Sequence, residues 1–504
     1  MKKGRTLRYI LLYVLVFFLT LSVFSTNWAV NKFAFLSFDE TMFQLTSPIK
    51  SAESSILTSF LTDSFLFAVI CSIIVFFVLC LIINYLSCKK LDFEIKLWRK
   101  NLKFSIKTSI LKVLLGLIIF LSTIGIVYSC LDRIGFISYI YDQTHESLFI
   151  EKNYVDPDKV SLTFPEKKKN LIYIYVESLE STYFSKDLGG ETKINVLEPI
   201  TDITSSNISF SDTDKFGGAM TVPGTTWTTS AMIAQTAGLP LKVSARFVND
   251  NRVSTMMTGT TTLGDILYEN GYKQMYMIGS DKDFGNRGVY FEKHGNYEIY
   301  DYNTAKEKDK IADDYYVWWG YEDSKLFEYA KEEITDLASG DQPFNFTMLT
   351  ANTHFTDGYL EANCPTNYGN AYFNSVHCSA GQLEEFITWI TKQPFYKDTT
   401  IVMTGDHISM QGDLYPEDTK RRIYNLFINS STKDGKFTNR EFCTMDLFPT
   451  TLASMGVEIE GDRLGLGTNL FSNKKTLIEK VGYDKFNEEI SSYSSYYMKH
   501  LLNE

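Results

Sequence analysis

The sequence lacks the cysteine signatures that would assign it most quickly: it has no Cys-x-x-Cys pair and no Cys/His cluster with zinc-ligand spacing. Internal repeats and low-complexity tracts are absent too, so neither a solenoid nor a flexible linker organises the chain. Positive charge is not in excess. The formal net charge is −11, and from residue 151 onward 51 acidic residues face 34 basic ones, a charge of −17. Such a surface excludes nucleic acid as a partner. Asp, Glu, Lys and Arg are missing altogether from three apolar runs, 9–28, 65–86 and 113–131. Each is close to the ~20 residues a helix needs to cross a bilayer. No small-residue cleavage site follows Ser25, so the first run reads as an uncleaved anchor rather than a signal peptide.

At 504 residues, 44% hydrophobic and 15% aromatic, the chain has enough apolar material for these spans and for a sizeable core besides. Residues 87–109 carry Lys89, Lys90, Lys96, Arg99, Lys100, Lys103 and Lys107, whereas 29–63 carries only Lys32 and Lys50. Positive charge stays on the cytoplasmic side, which places the N-terminus inside and residues 132–504 outside. The expected organisation is a membrane domain over 1–131, an extracytoplasmic connector over 132–168 and an extracytoplasmic catalytic domain over 169–504. Cys71 and Cys80 lie in a span, Cys88 faces the cytoplasm and Cys130 sits at a membrane edge, which leaves Cys364, Cys378 and Cys443 outside. An oxidising compartment allows Cys364 to pair with Cys378, and spacing alone does not decide between that bond and three unpaired thiols.

Past Pro165 the pattern changes. The run 170–176, Asn-Leu-Ile-Tyr-Ile-Tyr-Val, has the β-branched and aromatic composition of a strand covered on both faces. Similar runs recur at 274–278, 344–349, 400–403 and 423–428. Helical patterns fall between and after them at 229–237, 263–270, 323–337, 380–393 and 445–455. This alternation predicts an α/β domain with a largely parallel sheet flanked by helices. In such sheets ligands collect beyond the carboxyl ends of the strands.

Three polar elements stand where that rule points. Glu177-Ser178 follows the strand at 170–176, and Thr404-Gly405-Asp406-His407 follows the one at 400–403. Carboxylate oxygens with an imidazole nitrogen suit a divalent cation such as Mn²⁺ or Zn²⁺, and the glycine lets the backbone turn closely. Singly, Glu177 also suits a helix N-terminus and Asp406 a turn. The third element is the glycine- and threonine-rich stretch 217–230, which runs into the helix that begins near Thr228. A hydroxyl at a helix start meets backbone N–H donors that attract phosphate, and a cation on the same oxygen would ready it for nucleophilic attack.

Over residues 168–472 these motifs resemble the phosphoglycerol transferases of the alkaline phosphatase superfamily, which include lipoteichoic acid synthases and the enzymes that decorate periplasmic glucans. The resemblance implies an alkaline phosphatase-like (sulfatase-like) fold after three transmembrane helices. It implies one divalent metal ion, usually Mn²⁺ with Zn²⁺ or Mg²⁺ as alternatives, held by Glu177, Thr228, Asp406 and His407, with Thr228 as nucleophile. Asn286-Arg287 followed by 290–295 resembles the segment whose arginine grips glycerophosphate, and Ala351-Asn-Thr-His354 resembles a segment with a substrate-binding histidine. Arg287 and His354 are expected in those roles.

The sequence departs from lipoteichoic acid synthases in having three spans rather than five, Trp227 rather than lysine before the nucleophile, and Gly285 rather than tryptophan two before Arg287. The Trp-Thr pairing is nearer the glucan-modifying branch. The function implied is a multi-pass enzyme of the bacterial inner membrane that moves phosphoglycerol from phosphatidylglycerol to a cell-envelope glycan or polyol-phosphate polymer. The alternatives are a phosphoethanolamine transferase or phosphodiesterase on the same fold and, from another class, a non-catalytic membrane sensor or assembly protein.

Overall fold

The computed structural model describes residues 2–33, 38–46, 54–87, 90–97, 100–242, 256–411, 414–416 and 418–502. Of the residues used above, Lys50, Cys88, Lys89 and Arg99 lie outside these. Among the described residues, three helices are long and apolar enough to cross a membrane: Thr6–Lys32, Leu57–Tyr85 and Thr108–Arg133. They match the three uncharged runs, and their apolar side chains point outward, with Phe77 62% and Val113 72% exposed. Between the second and third, Lys90–Leu97 and Lys100–Lys107 pair as antiparallel strands. The chain divides into two compact units, one of residues 1–38 and 51–140, the other of 39–50 and 141–504. The second unit contains a short helix, α1 (Phe38–Thr46), from Asp39 onward. Within 132–168, Ile150 is fully buried in this unit's core, and Leu162–Thr163 pairs with Glu458–Ile459.

The second unit is built on a six-stranded sheet: β1 (Asn170–Val176), β2 (Lys273–Ile278), β3 (Glu298–Tyr300), β4 (Phe344–Leu349), β5 (Thr399–Gly405) and β6 (Asn425–Ile428). Their order is β3-β2-β4-β1-β5-β6, and every neighbouring pair is parallel except β5 with β6. The unbroken apolar run of β1 is explained by its position. Leu171, Tyr173 and Tyr175 enter one core, whereas Ile172, Ile174 and Val176 enter the core on the other face. Helices α2 (Thr228–Ala237), α3 (Leu263–Glu269), α4 (Arg287–Lys293) and α7 (Leu447–Ser454) pack on the first side. Helices α5 (Asp323–Ser339) and α6 (Ala371–Thr391) pack on the second.

Two of the differences from expectation have a plain physical reason. Helix α6 starts at Ala371 rather than 380, because the Asn370 side chain accepts the Phe373 N–H (3.0 Å) as an N-cap. Its first two turns bury Tyr372, Ser375, Val376 and Ser379, and the hydroxyls blur the apolar periodicity. Strand β6 begins two residues late, since Ile423 bridges to Ala219 instead of joining the ladder. Cys364 and Cys378 are joined as a disulfide, Cα atoms 5.5 Å apart, which ties the loop after β4 to α6. Cys443 is buried and free.

Candidate active site

The parallel register of β1 and β5 makes the site. Tyr175 lies opposite Thr404 and Val176 opposite Gly405, so Glu177 and Asp406-His407 leave the sheet side by side at its carboxyl edge. Gly405 is required there: a Cβ would sit 2.0 Å from the Leu179 carbonyl oxygen. Ser178 adopts a left-handed conformation (φ 56°), which costs a non-glycine residue about 1–3 kcal/mol. Its bonds hold it there. The Ser178 N–H donates to Asp406 Oδ1 (2.8 Å), and its hydroxyl donates to Glu177 Oε1 (2.7 Å).

Glu177, Asp406 and His407 are all buried, and one ligand atom from each lies within 4.8 Å of the others. His407 Nδ1 is 2.7 Å from the Ile408 carbonyl oxygen, an acceptor, so Nδ1 carries the proton and Nε2 presents a lone pair. Nε2 is 3.3 Å from Asp406 Oδ2 and 3.6 Å from Glu177 Oε1. Asp406 Oδ1 accepts the N–H groups of Ser178 and His407, whereas Oδ2 is buried and takes no hydrogen bond among the described residues. Burial and the neighbouring Glu177 carboxylate push Asp406 above the usual carboxylate range. Burial disfavours a charged His407, yet Asp406 and Glu177 outweigh it and raise the imidazole. Two carboxyls, an open imidazole lone pair and an orphaned buried oxygen fit a divalent cation.

Thr228 is the first residue of α2, and its Oγ1 is 3.4 Å from His407 Nε2. The adjacent hydroxyls are disposed otherwise. Thr225, Thr229 and Ser230 donate to the carbonyl oxygens of Val222, Gly285 and Trp227, and Thr226 Oγ1 is buried without a partner among the described residues. Of the five, only Thr228 meets the cluster, and it is half-buried. From the same helix Gln235 donates to the Gly405 and Asp406 carbonyl oxygens (3.1 and 3.3 Å), tying α2 to the end of β5.

Arg287 opens α4 after a turn in which Gly285 (φ 62°) and Asn286 (φ 58°) are both left-handed. That turn accounts for glycine at 285, where a Cβ would also press on Thr229 Oγ1 at 2.7 Å. The Thr229 bond to the Gly285 carbonyl (2.8 Å) anchors it beside the start of α2. Arg287 is 6% exposed. Its guanidinium donates to the Phe284 carbonyl (2.9 Å) and Ser280 Oγ (3.0 Å), lies over the Phe284 ring and makes no ion pair among the described residues. A buried arginine without a carboxylate is rare, and it suits an anionic ligand.

His354 follows β4, half-buried, with its ring 4.7 Å from that of Trp319. Its loop is fixed from below. Asp323 accepts the N–H groups of Ala351 (2.8 Å) and Asn352 (3.0 Å), and Thr353 donates to the Glu177 carbonyl. Burial pushes the Asp323 carboxyl up to about 7, against the pull of those two bonds. Under the Asp-His loop, buried Glu180 pairs with Arg421 and accepts the Ser409 N–H (2.9 Å). Sequence reasoning missed Gln235, Asp323, Glu180 and Arg421. Only Gln235 left a signal, as a polar residue inside an apolar helix.

The sulfatase family profile matches residues 169–457. Phosphoglycerol transferase I of Shigella flexneri is 30% identical over 331 residues, covering 64% of this chain and 41% of that protein. The enzyme of the same name from Salmonella choleraesuis is 31% identical over 333 residues, with the same coverage. The chain thus spans less than half the length of these relatives. Among solved structures, the integral membrane lipooligosaccharide phosphoethanolamine transferase A of Neisseria meningitidis superposes with a TM-score of 0.51 at 13% identity, covering 88% of this chain and 84% of that one. At that identity the likeness is one of fold. Because the profile takes in more than half of the residues and spans the β1 and β5 ends that carry the site, this chain belongs to the sulfatase family of the alkaline phosphatase superfamily.

Proposed function

We propose that the protein is a membrane-anchored phosphotransferase that moves phosphoglycerol from phosphatidylglycerol to a cell-envelope glycan or polyol-phosphate acceptor through Thr228. The observation that carries this reading is the Thr228 hydroxyl, 3.4 Å from His407 Nε2, at the rim of a buried cluster suited to a cation. The 30% identity to proteins named phosphoglycerol transferase I supports the choice of donor. Glu177, Asp406 and His407, with Thr228, would hold one ion, Mn²⁺ on the resemblance. Bound there, it supplies Lewis-acid polarisation of a phosphoryl oxygen and acidifies the neighbouring hydroxyl.

The chain's own residues do the rest. Thr228 Oγ1 attacks phosphorus as the bond to the diacylglycerol oxygen breaks, which leaves glycerophosphate esterified to threonine. An acceptor hydroxyl then attacks that phosphorus and releases Thr228. The Arg287 fork holds the non-bridging oxygens, and His354 holds the glycerol or protonates a departing oxygen. With 51 acidic against 34 basic residues from position 151 onward, the field must be reversed locally for a lipid phosphate. Arg287 and the cation cluster do this. The spans keep the catalytic domain on the outer face beside its lipid donor, raising its effective concentration.

The test is head-group release by the full chain in vesicles of phosphatidylglycerol or phosphatidylethanolamine, with metal analysis of the same preparation. Diacylglycerol and transferred glycerol phosphate from the first lipid, silenced by chelator and restored by Mn²⁺, are expected. Ethanolamine phosphate from the second would reassign the donor. Bound cation with neither product would favour a non-catalytic sensor.

A further inference from the structure

Among the described residues with left-handed backbone, Trp318 (φ 58°) is the aromatic one. A bulky side chain in that region costs free energy, and residues held there gather at functional sites. They do so here: Ser178 lies beside the cluster, Asn286 before Arg287, and Asp357 (φ 63°) in the loop of His354. Bonds on several sides hold Trp318. Val317 and Gly320 each donate an N–H to the other's carbonyl oxygen (2.8 and 3.0 Å), and Gly320 bridges to Ser280, whose hydroxyl accepts from Arg287. The Trp318 indole N–H donates to the Ala351 carbonyl (2.9 Å), three residues before His354. The ring so fixed lies near-parallel to that of Tyr359, with centroids 6.1 Å apart and planes 26° apart. It stands edge-on to Trp319 (6.4 Å), whose ring meets His354. Trp318 and Tyr359 are both half-buried, so part of each ring faces solvent.

A tryptophan that only packed would cost less in an ordinary backbone conformation. Resting on the transferase reading, we propose that Trp318 and Tyr359 form a subsite for the acceptor beside His354, and that it takes an uncharged sugar ring of a glycan rather than a polyol phosphate. Charge decides between the two. The segments that carry the rings, 312–324 and 351–363, contain Asp313, Asp314, Glu322, Asp357 and Glu361 besides buried Asp323, and no lysine or arginine. The next basic residue, Lys325, stands by Glu322 (3.8 Å). Such a rim repels a polyanion. A sugar suits it, because the C–H groups on one face of a pyranose lie against the electron-rich face of an aromatic ring while its hydroxyls donate to carboxylates at the edge.

The experiment is isothermal titration calorimetry of the full chain in detergent, with a neutral glucose oligosaccharide and a glycerol phosphate oligomer as separate titrants. Wild type, Tyr359→Leu, Tyr359→Phe and Trp318→Leu are compared, with a thermal melt of each. Wild type should bind the sugar and not the anionic oligomer. Tyr359→Leu and Trp318→Leu should weaken sugar binding by about three- to ten-fold, the loss of one aromatic contact, and Tyr359→Phe, which keeps the ring, should bind as wild type does. Preference for the glycerol phosphate oligomer would overturn the proposal, as would no sugar binding by wild type or sugar binding that both leucine variants leave unchanged. The choice of titrant by wild type decides even where a leucine variant fails to fold. Diacylglycerol release from phosphatidylglycerol vesicles by the same wild type separates the two readings. Release without sugar binding removes the subsite and leaves the donor chemistry standing, whereas sugar binding through these rings without release keeps the subsite and sinks the transferase.

Discussion

Arg421 and Arg287 are both buried in the same domain, 8% and 6% exposed, and they keep opposite company. Beneath the Asp-His loop, Arg421 donates to both carboxylate oxygens of Glu180 and to the Ser409 carbonyl. At the turn after β2, Arg287 has one carbonyl, one hydroxyl and a ring, with no carboxylate among the described residues. The hydroxyls around the start of α2 repeat the contrast: Thr229 and Ser230 donate to carbonyl oxygens, while Thr228 faces His407. Groups whose bonding is complete hold the fold. Groups left incomplete at the rim are where a ligand completes it.

The largest break in that contrast is expected at Thr228. Thr228→Ala should lower turnover by at least about three orders of magnitude with melting unchanged, as loss of a nucleophile does. Thr229→Ala should instead cost about 1 kcal/mol of stability through its lost bond to Gly285. Diacylglycerol release and thermal melts on both variants check this, and the reverse pattern would move the nucleophile to position 229. Next comes the completed region. Arg421→Met leaves Glu180 buried and uncompensated, so it should destabilise by about 3–5 kcal/mol, read as a lower denaturant midpoint.

Arg287→Lys sharpens the comparison from the other side. Lysine cannot reproduce the planar fork, so donor use should fall about ten- to a hundred-fold, while the bonds to Phe284 and Ser280 that it gives up should cost only about 1 kcal/mol of stability. Unchanged head-group release kinetics would take Arg287 out of the site. The smallest effect is a slope with pH. Asp323 is raised from 3.8 to about 7 by burial, so between those values the folded protein keeps a proton that the unfolded chain has lost. Its contribution is full below pH 3.8 and is lost as pH rises through about 7, by at most about 1.4 kcal/mol per pH unit. Asp323→Asn should flatten that slope in denaturant titrations of the cation-free protein, and an unaltered slope would assign it to other groups.

Much of the polar edge was legible because its residues stand beside strong local patterns. Glu177 comes straight after the apolar run of β1, Asp406-His407 after β5, and Thr228 at a helix start marked by glycines and hydroxyls. The braces were not legible. Glu180 and Arg421 are 241 residues apart, and no local pattern of composition links them. Asp323 opens its helix as any N-terminal acid would, and the hydroxyl-rich first turns of α6 hid nine residues of helix. Arg287 was legible as a residue type at a turn, but its burial without a carboxylate was not.

The sequence by itself determined the three apolar helices, the alternation that makes an α/β sheet, and the polar residues that follow β1 and β5. Those depend on periodicity and composition within a window of ten or twenty residues. Only the tertiary structure decided which strands are neighbours, and with them which polar ends meet. The β1–β5 register brings Glu177 within reach of Asp406 and His407, and core packing sets Phe43 of a distant loop against Trp227. Such contacts join residues hundreds apart, and they are selected by the burial of whole faces rather than by any local preference.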